Sequence, residues 1–119
     1  MKVVLCTAIA VFLHIVLGWQ WTILAGILCS MMSAQKGWLK GALCVASGWG
    51  ILVLFNYLSS PEPVGRMLEF AGSLMGNLPG AAIVVLTLVI GGLLGMFGGM
   101  IGTQLVALVP ALRLYRQPA

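Results

Sequence analysis

Apolar positions along the chain fall into four runs, at residues 3–17, 22–34, 41–58 and 80–112. The first two are each about 13–15 residues, or about 20–22 Å as helix, against a hydrocarbon core of about 30 Å. Gly18-Trp19-Gln20-Trp21 separates them and reads as a tight turn at a membrane–water interface. The pair forms either two short spans that use their flanks or a hairpin that does not fully cross; two spans is the expected reading. Residues 35–40 form a short basic connection with Lys36 and Lys40, and run three, about 18 residues long, is enough to cross. Residues 59–77 differ in kind. Ser60 suits a helix cap and Pro61 the first helical position. Val64, Met67, Leu68, Ala71, Leu74 and Met75 then recur at 3–4 spacing, with Glu62, Arg66 and Glu69 spaced for helix-supporting ion pairs. This predicts an amphipathic helix over 61–77, lying in the interface or over the bundle. The last run is about 33 residues, or about 50 Å as helix, so it tilts, kinks or projects. The pattern predicts an all-α integral membrane fold: one domain over 1–119, a four-helix transmembrane bundle with one interfacial amphipathic helix.

Composition sharpens this. The 119 residues are 61% hydrophobic and 7% charged, whereas a soluble domain carries roughly a quarter charged residues. Net charge is +4, but the basic residues stand singly at segment ends, which is a topology pattern and excludes a nucleic-acid patch. Four spans place Lys2, Lys36, Lys40, Arg113 and Arg116 on one side, and Arg66 with Glu62 and Glu69 on the other. Both termini are therefore expected in the cytoplasm. No small-x-small site follows the first run, so an uncleaved first span is expected. Three cysteines, all in apolar runs, argue against a disulfide framework.

Small residues order the packing. Gly91, Gly95, Gly98 and Gly102 share a narrow helical arc with Gly80, and Gly92 and Gly99 widen it. Such a groove admits another helix closely inside a bilayer. The neighbour is expected to be the third span first and a second copy of the chain next. A branched side chain at Gly95 should disrupt the packing, and alanine there should be mild. In the third span Gly37, Gly41, Cys44 and Gly48 form one small face and Ala42, Ala46 and Gly50 another, with Trp38 and Trp49 between them, so this helix should be central. Thr7, Ala10, His14 and Gly18 mark the first span; Thr22, Gly26, Cys29, Ser30 and Ser33 mark the second.

Few residues carry chemistry. The weakly polar faces could line a path between helices, but they are the ordinary glue of membrane bundles. His14 is the single histidine. As an ionisable residue in a span it is a cofactor-binding candidate, able to ligate a haem or chlorophyll-type metal or to carry a proton. The blander reading, a neutral imidazole bonded to a hydroxyl or carbonyl near the outer interface, is preferred. Cys6, Cys29 and Cys44 fall at one depth and could bind a soft metal. With no CxxC or CxH spacing they read as small packing residues, and no metal site is assigned. Glu62, Arg66 and Glu69 read as a solvated helix face. No nucleophile–base–oxyanion set and no phosphate loop is legible, so no enzyme and no cofactor are expected.

The segments WTILAGILCSMMSAQKGWLKGAL and LTLVIGGLLGMFGGMIGTQL resemble those of small uncharacterised four-span bacterial inner-membrane proteins, in which a short basic loop leads into a glycine-containing span and the chain ends on a GG-x-x-G-x-x-GG helix. The resemblance implies a compact four-helix membrane fold and transfers no functional residue. The expected role is a structural or accessory subunit of a membrane assembly or homo-oligomer, with the bilayer and other membrane subunits, or itself, as partners. Its rivals are a transporter or channel with a path between protomers and a pigment- or haem-binding subunit through His14.

Overall fold

The computed structural model describes residues 2–32 and 36–109, with side chains from Val4 onward. Five helices follow one another: α1 Lys2–Leu17, α2 Thr22–Met31, α3 Gly37–Ser59, α4 Pro61–Leu74 and α5 Gly80–Leu108, with one 3-10 turn, Trp19–Trp21, between α1 and α2. The described residues contain no strand. Among the described residues, only α3 and α5 are both long and apolar enough to cross a membrane, with mean hydropathies of 1.6 and 2.4 over their most apolar stretches.

Several boundaries differ from the sequence reading, each for a local reason. Helix α3 starts at Gly37 rather than 41 and takes Trp38 and Lys40 out of the connection. Gly37 and Gly41 carry no side chain, so the first turns of α3 lie directly on α5, and this contact overrides the polar composition of the segment. Lys36 precedes it in the left-handed region at φ 52°. Helix α5 stops at Leu108, and Val109 is extended, as expected of a residue whose successor is proline; residues 110–112 of the predicted span lie outside the described residues. The same holds for 33–34 at the end of the second span. Helix α4 ends at Leu74, not 77. Gly76 (φ 88°) and Asn77 (φ 62°) turn the chain left-handed, and the Gly72 carbonyl accepts from Met75 N at 3.2 Å and Leu78 N at 3.0 Å. Pro61 occupies the first turn of α4, but the Ser60 side chain makes no cap bond.

Contacts fix the helix directions. Thr7 meets Ser47, Ala10 meets Gly48 and His14 meets Trp49, so α1 and α3 run parallel. Gly37 meets Gly99, Gly41 meets Gly95 and Trp49 meets Gly91, so α5 is antiparallel to α3. Ile23 meets Gly98 and Ile27 meets Gly102, so α2 runs with α5. The starts of α1 and α3 and the end of α5 therefore share one end of a body measuring 50 × 27 × 22 Å. The α1–α2 hairpin reverses at Gly18 (φ 97°), a backbone conformation that suits glycine. Its tip lies about one turn past His14, whereas α3 continues for about 15 Å beyond Trp49. The hairpin covers the lower part of the long α3–α5 pair, and α4 packs on that pair at the other end, with Leu68 against Gly80 and Gly72 against Leu78 and Ile83.

Helix α4 buries a narrower face than its sequence stripe. Val64, Leu68 and Ala71 are half-buried and Gly72 is buried, whereas Met67 and Leu74 are 73% and 72% exposed. Glycine at 72, without a side chain, sets which face docks.

Candidate functional site

The interior is built from small residues. Gly26, Gly41, Gly95 and Gly99 bring three helix backbones together. The backbone of Gly95 lies against the Gly41 carbonyl of α3, and a Cβ built on Gly95 would also stand 2.9 Å from Val45 Cβ. On its other side, a Cβ on Gly26 of α2 would meet the Gly95 carbonyl at 2.8 Å. Gly99 faces the Gly37 carbonyl and Trp38 Cα, Gly98 the Ile23 carbonyl, and Gly102 the Ile27 carbonyl and Ser30 hydroxyl. Gly91 is covered by the Trp49 ring, with a built Cβ 3.0 Å from Cδ2. The groove is filled by both α2 and α3 of the same chain. The atoms a methyl on Gly95 would meet are largely backbone, so alanine there is expected to be costly rather than mild. The small faces of α3 divide as follows. Gly37 and Gly41 meet α5, while Gly48 turns to α1, a built Cβ lying 3.4 Å from Ala10 Cβ. Ala46 lies opposite Gly92 and Gly50 opposite Leu88 on α5.

Four described hydroxyls donate back to carbonyls of their own helices. Ser30 donates to the Ile27 carbonyl at 3.2 Å, Ser47 to Cys44 at 3.0 Å, Thr87 to Ile83 and Thr103 to Gly99, both at 2.8 Å. Each bond stays within its own helix. Thr22, fully buried, donates to the Trp19 carbonyl and closes the hairpin turn. Between helices, Thr7 Oγ1 and Ser47 Oγ lie 3.2 Å apart.

His14 packs edge-on against Trp49, ring centroids 5.5 Å apart and planes at 76°. Its Nδ1 and the Trp49 Nε1 are both buried without a hydrogen-bond partner among the described residues. The expected bond from the imidazole to a hydroxyl or carbonyl is therefore absent at Nδ1. The reason is register: Thr7 and Ser47, the hydroxyls shared by α1 and α3, pair with each other about two turns lower.

Sequence spacing gave no hint of how closely the cysteines converge. Cys6 of α1, Cys29 of α2 and Cys44 of α3 belong to one buried cluster with Ala10 and Ala25, against which Leu13 and Met32 pack. The Cys6 thiol reaches Met32 Sδ at 4.0 Å and the Cys29 thiol donates to the Lys40 carbonyl at 3.6 Å. All three are free. The one signal in the sequence was shared depth.

At the opposite end Arg66 pairs with Glu62 on the exposed face of α4. Between α3, α4 and α5 lies a cavity of about 420 Å³, whose lining includes Val53, Val64, Leu68 and Ile83 together with the polar Asn56 and Thr87.

No protein family, curated protein or solved structure matches the chain.

Proposed function

We propose that the chain is a small structural or accessory subunit embedded in a bilayer. Helices α1, α2, α3 and α5 are its membrane segments, α4 lies at the interface, and both termini are on the cytoplasmic side of a bacterial inner membrane. The observation that supports this most is an inverted distribution of residue size. Buried positions are Gly, Ala, Cys, Ser and Thr with few exceptions, among them Val45, Ile83 and Val106, while Phe12, Ile15, Leu54, Leu93 and Phe97 face outward. Soluble proteins bury their large apolar side chains, whereas membrane bundles keep small residues at helix contacts and turn large ones to lipid. Consistently, only 28% and 17% of the residues in the most apolar stretches of α3 and α5 are buried. Lys36 and Lys40 stand at the end shared by the start of α1 and the end of α5, which supports the orientation.

Most of the described hydroxyls are bonded back onto their own helices and the glycine face is occupied from within the chain. The surface left for recognition is the outer apolar one, and the role is recognition by packing, toward another membrane subunit or a second copy. Native mass spectrometry of the full chain released from its membrane in mild detergent tests this. An assembly of fixed stoichiometry, with itself or another subunit, is expected; a stable lone monomer across detergents and nanodiscs would overturn the reading.

A further inference from the structure

Helix α4 docks on the bundle by its later half, where Leu68 lies against Gly80 and Gly72 against Leu78 and Ile83. Its first turn follows α3 directly through Ser60. Between these two attachments Val64 and Ala71 leave a gap to Val53 of α3 and to Ile83 and Thr87 of α5, and this gap is the cavity of about 420 Å³. Its polar groups are ordered along its length. Asn56 and Ser60, one helical turn apart, are both exposed and form the rim. Leu88 lies against Gly50, so Thr87 stands about 10 Å below that rim. The Thr87 hydroxyl already donates to the Ile83 carbonyl at 2.8 Å. Every other lining residue is Val, Ile, Leu, Met or Ala, and no charged side chain takes part. Arg66 is paired with Glu62 on the exposed face of α4.

We propose that this cavity holds one acyl chain of one phospholipid from the leaflet on the α4 side, with the lipid's ester group at Asn56 and Ser60 and its second chain in the surrounding bilayer. The assignment rests on the bilayer placement proposed above. From Lys40 to Ser60 the chain rises about 30 Å, the thickness of the hydrocarbon core. The rim therefore stands where acyl chains end in glycerol esters, and the cavity runs down beside the chains. The Asn56 amide and the Ser60 hydroxyl can each donate to an ester carbonyl, which accepts hydrogen bonds and carries no charge. A free fatty-acid carboxylate would meet no cation there. An apolar cavity of about 150 Å³ takes benzene, so this one has room for on the order of ten methylenes. Asn56, Ser60 and Met67 are exposed, so the mouth admits a chain from the side and leaves the rest of the lipid outside. The acyl chain supplies the dispersion contacts that an empty cavity forfeits, and α4 rests on lipid as well as on protein.

The test places the full chain in phosphatidylethanolamine vesicles with added oleate and a small share of a phosphatidylcholine carrying a diazirine midway along one acyl chain. Vesicles are floated and photolysed, and adducts are mapped by peptide mass spectrometry. Native mass spectrometry after transfer to mild detergent counts the lipid retained. One retained phospholipid per chain is expected, with adducts on Val64, Ala71 and Ile83. Ala71→Phe puts a ring into the cavity and should lower retention about tenfold. Gly65→Ala, also on α4, should leave it unchanged, because a Cβ built there meets nothing within 4 Å. The wild-type count and adduct map need no variant, so the proposal stays testable if Ala71→Phe fails to fold. Equal retention in wild type and Ala71→Phe, adducts confined to outward residues such as Phe70 and Leu74, or retained oleate in place of phospholipid would overturn it and leave the membrane reading standing. A chain that does not float with the vesicles would overturn both.

Discussion

Alanine at Gly95 replaces a hydrogen by a methyl group at the point where α2, α3 and α5 touch. In an unobstructed helix that change is favourable by about 1 kcal/mol, the propensity difference between glycine and alanine. At Gly95 the new methyl would fall inside contact distance of the Gly41 carbonyl and 2.9 Å from Val45 Cβ. Val45 is 0% exposed, so it has no free volume to move into, and the Gly41 carbonyl moves only with its helix. Overpacking of this kind typically costs about 1–3 kcal/mol, and separating the backbones forfeits dispersion contacts along both neighbours. The clash outweighs the propensity gain, and Gly95→Ala should be net destabilising by about 1–2 kcal/mol. Gly92→Ala is the matched control. It lies three residues away on the same helix, and its built Cβ stands 3.9 Å from Ala46 Cβ, an ordinary contact, so it should keep the propensity gain and be neutral or slightly stabilising. Far-ultraviolet circular dichroism during thermal and SDS unfolding in one detergent reads both. If Gly95→Ala unfolds together with Gly92→Ala, the three backbones are not in contact at Gly95 and the packing scheme is wrong.

Two further outcomes follow from the geometry. His14→Phe should leave stability unchanged or raise it, because Nδ1 has no partner to lose among the described residues and the edge-on contact with Trp49 survives with another ring; a loss above about 1 kcal/mol would reveal a hidden polar partner. It should equally leave any visible absorption unchanged, and disappearance of a band would instead support pigment ligation by His14. On α4, spin labels at Arg66 and Ser73 should be water-accessible and labels at Leu68 and Ala71 protected, with Met67, Phe70 and Leu74 reporting lipid contact; uniform accessibility around the helix would exclude an interfacial α4.

The helices and their order were legible in the sequence because they rest on local signals: apolar runs, the Gly-Trp-Gln-Trp break and the Ser-Pro start of α4. Helix ends were less legible. Gly37 begins α3 through contact with Ser30 and Thr103, side chains of α2 and α5, and no local signal encodes that. The glycine arc showed where a neighbour could approach, but not that two neighbours share it, since the approach of α2 depends on Gly26 and on where the hairpin docks. The stripe on α4 gave a face without its width: Met67 and Leu74 lie outside the part that docks on the bundle, and Gly72, silent in a hydrophobic count, centres the contact. The thiols shared a depth by residue counting, but their meeting depends on the rotation of three separate helices. The unpartnered His14 nitrogen has the same origin: the hydroxyls that could have served it are spent on each other at Thr7 and Ser47.

The central claim is that large apolar side chains face lipid while small residues hold the interior. Carbene labelling reads it directly: a membrane-partitioning diazirine is photolysed in vesicles holding the full chain, and labelled residues are mapped by mass spectrometry. Label is expected on Phe12, Ile15, Leu54, Leu93 and Phe97, which face outward, and not on Ala25 or Val45, which are both 0% exposed. Recovery of the chain in the aqueous fraction, or label on Val45 at the level of Phe97, would contradict the account.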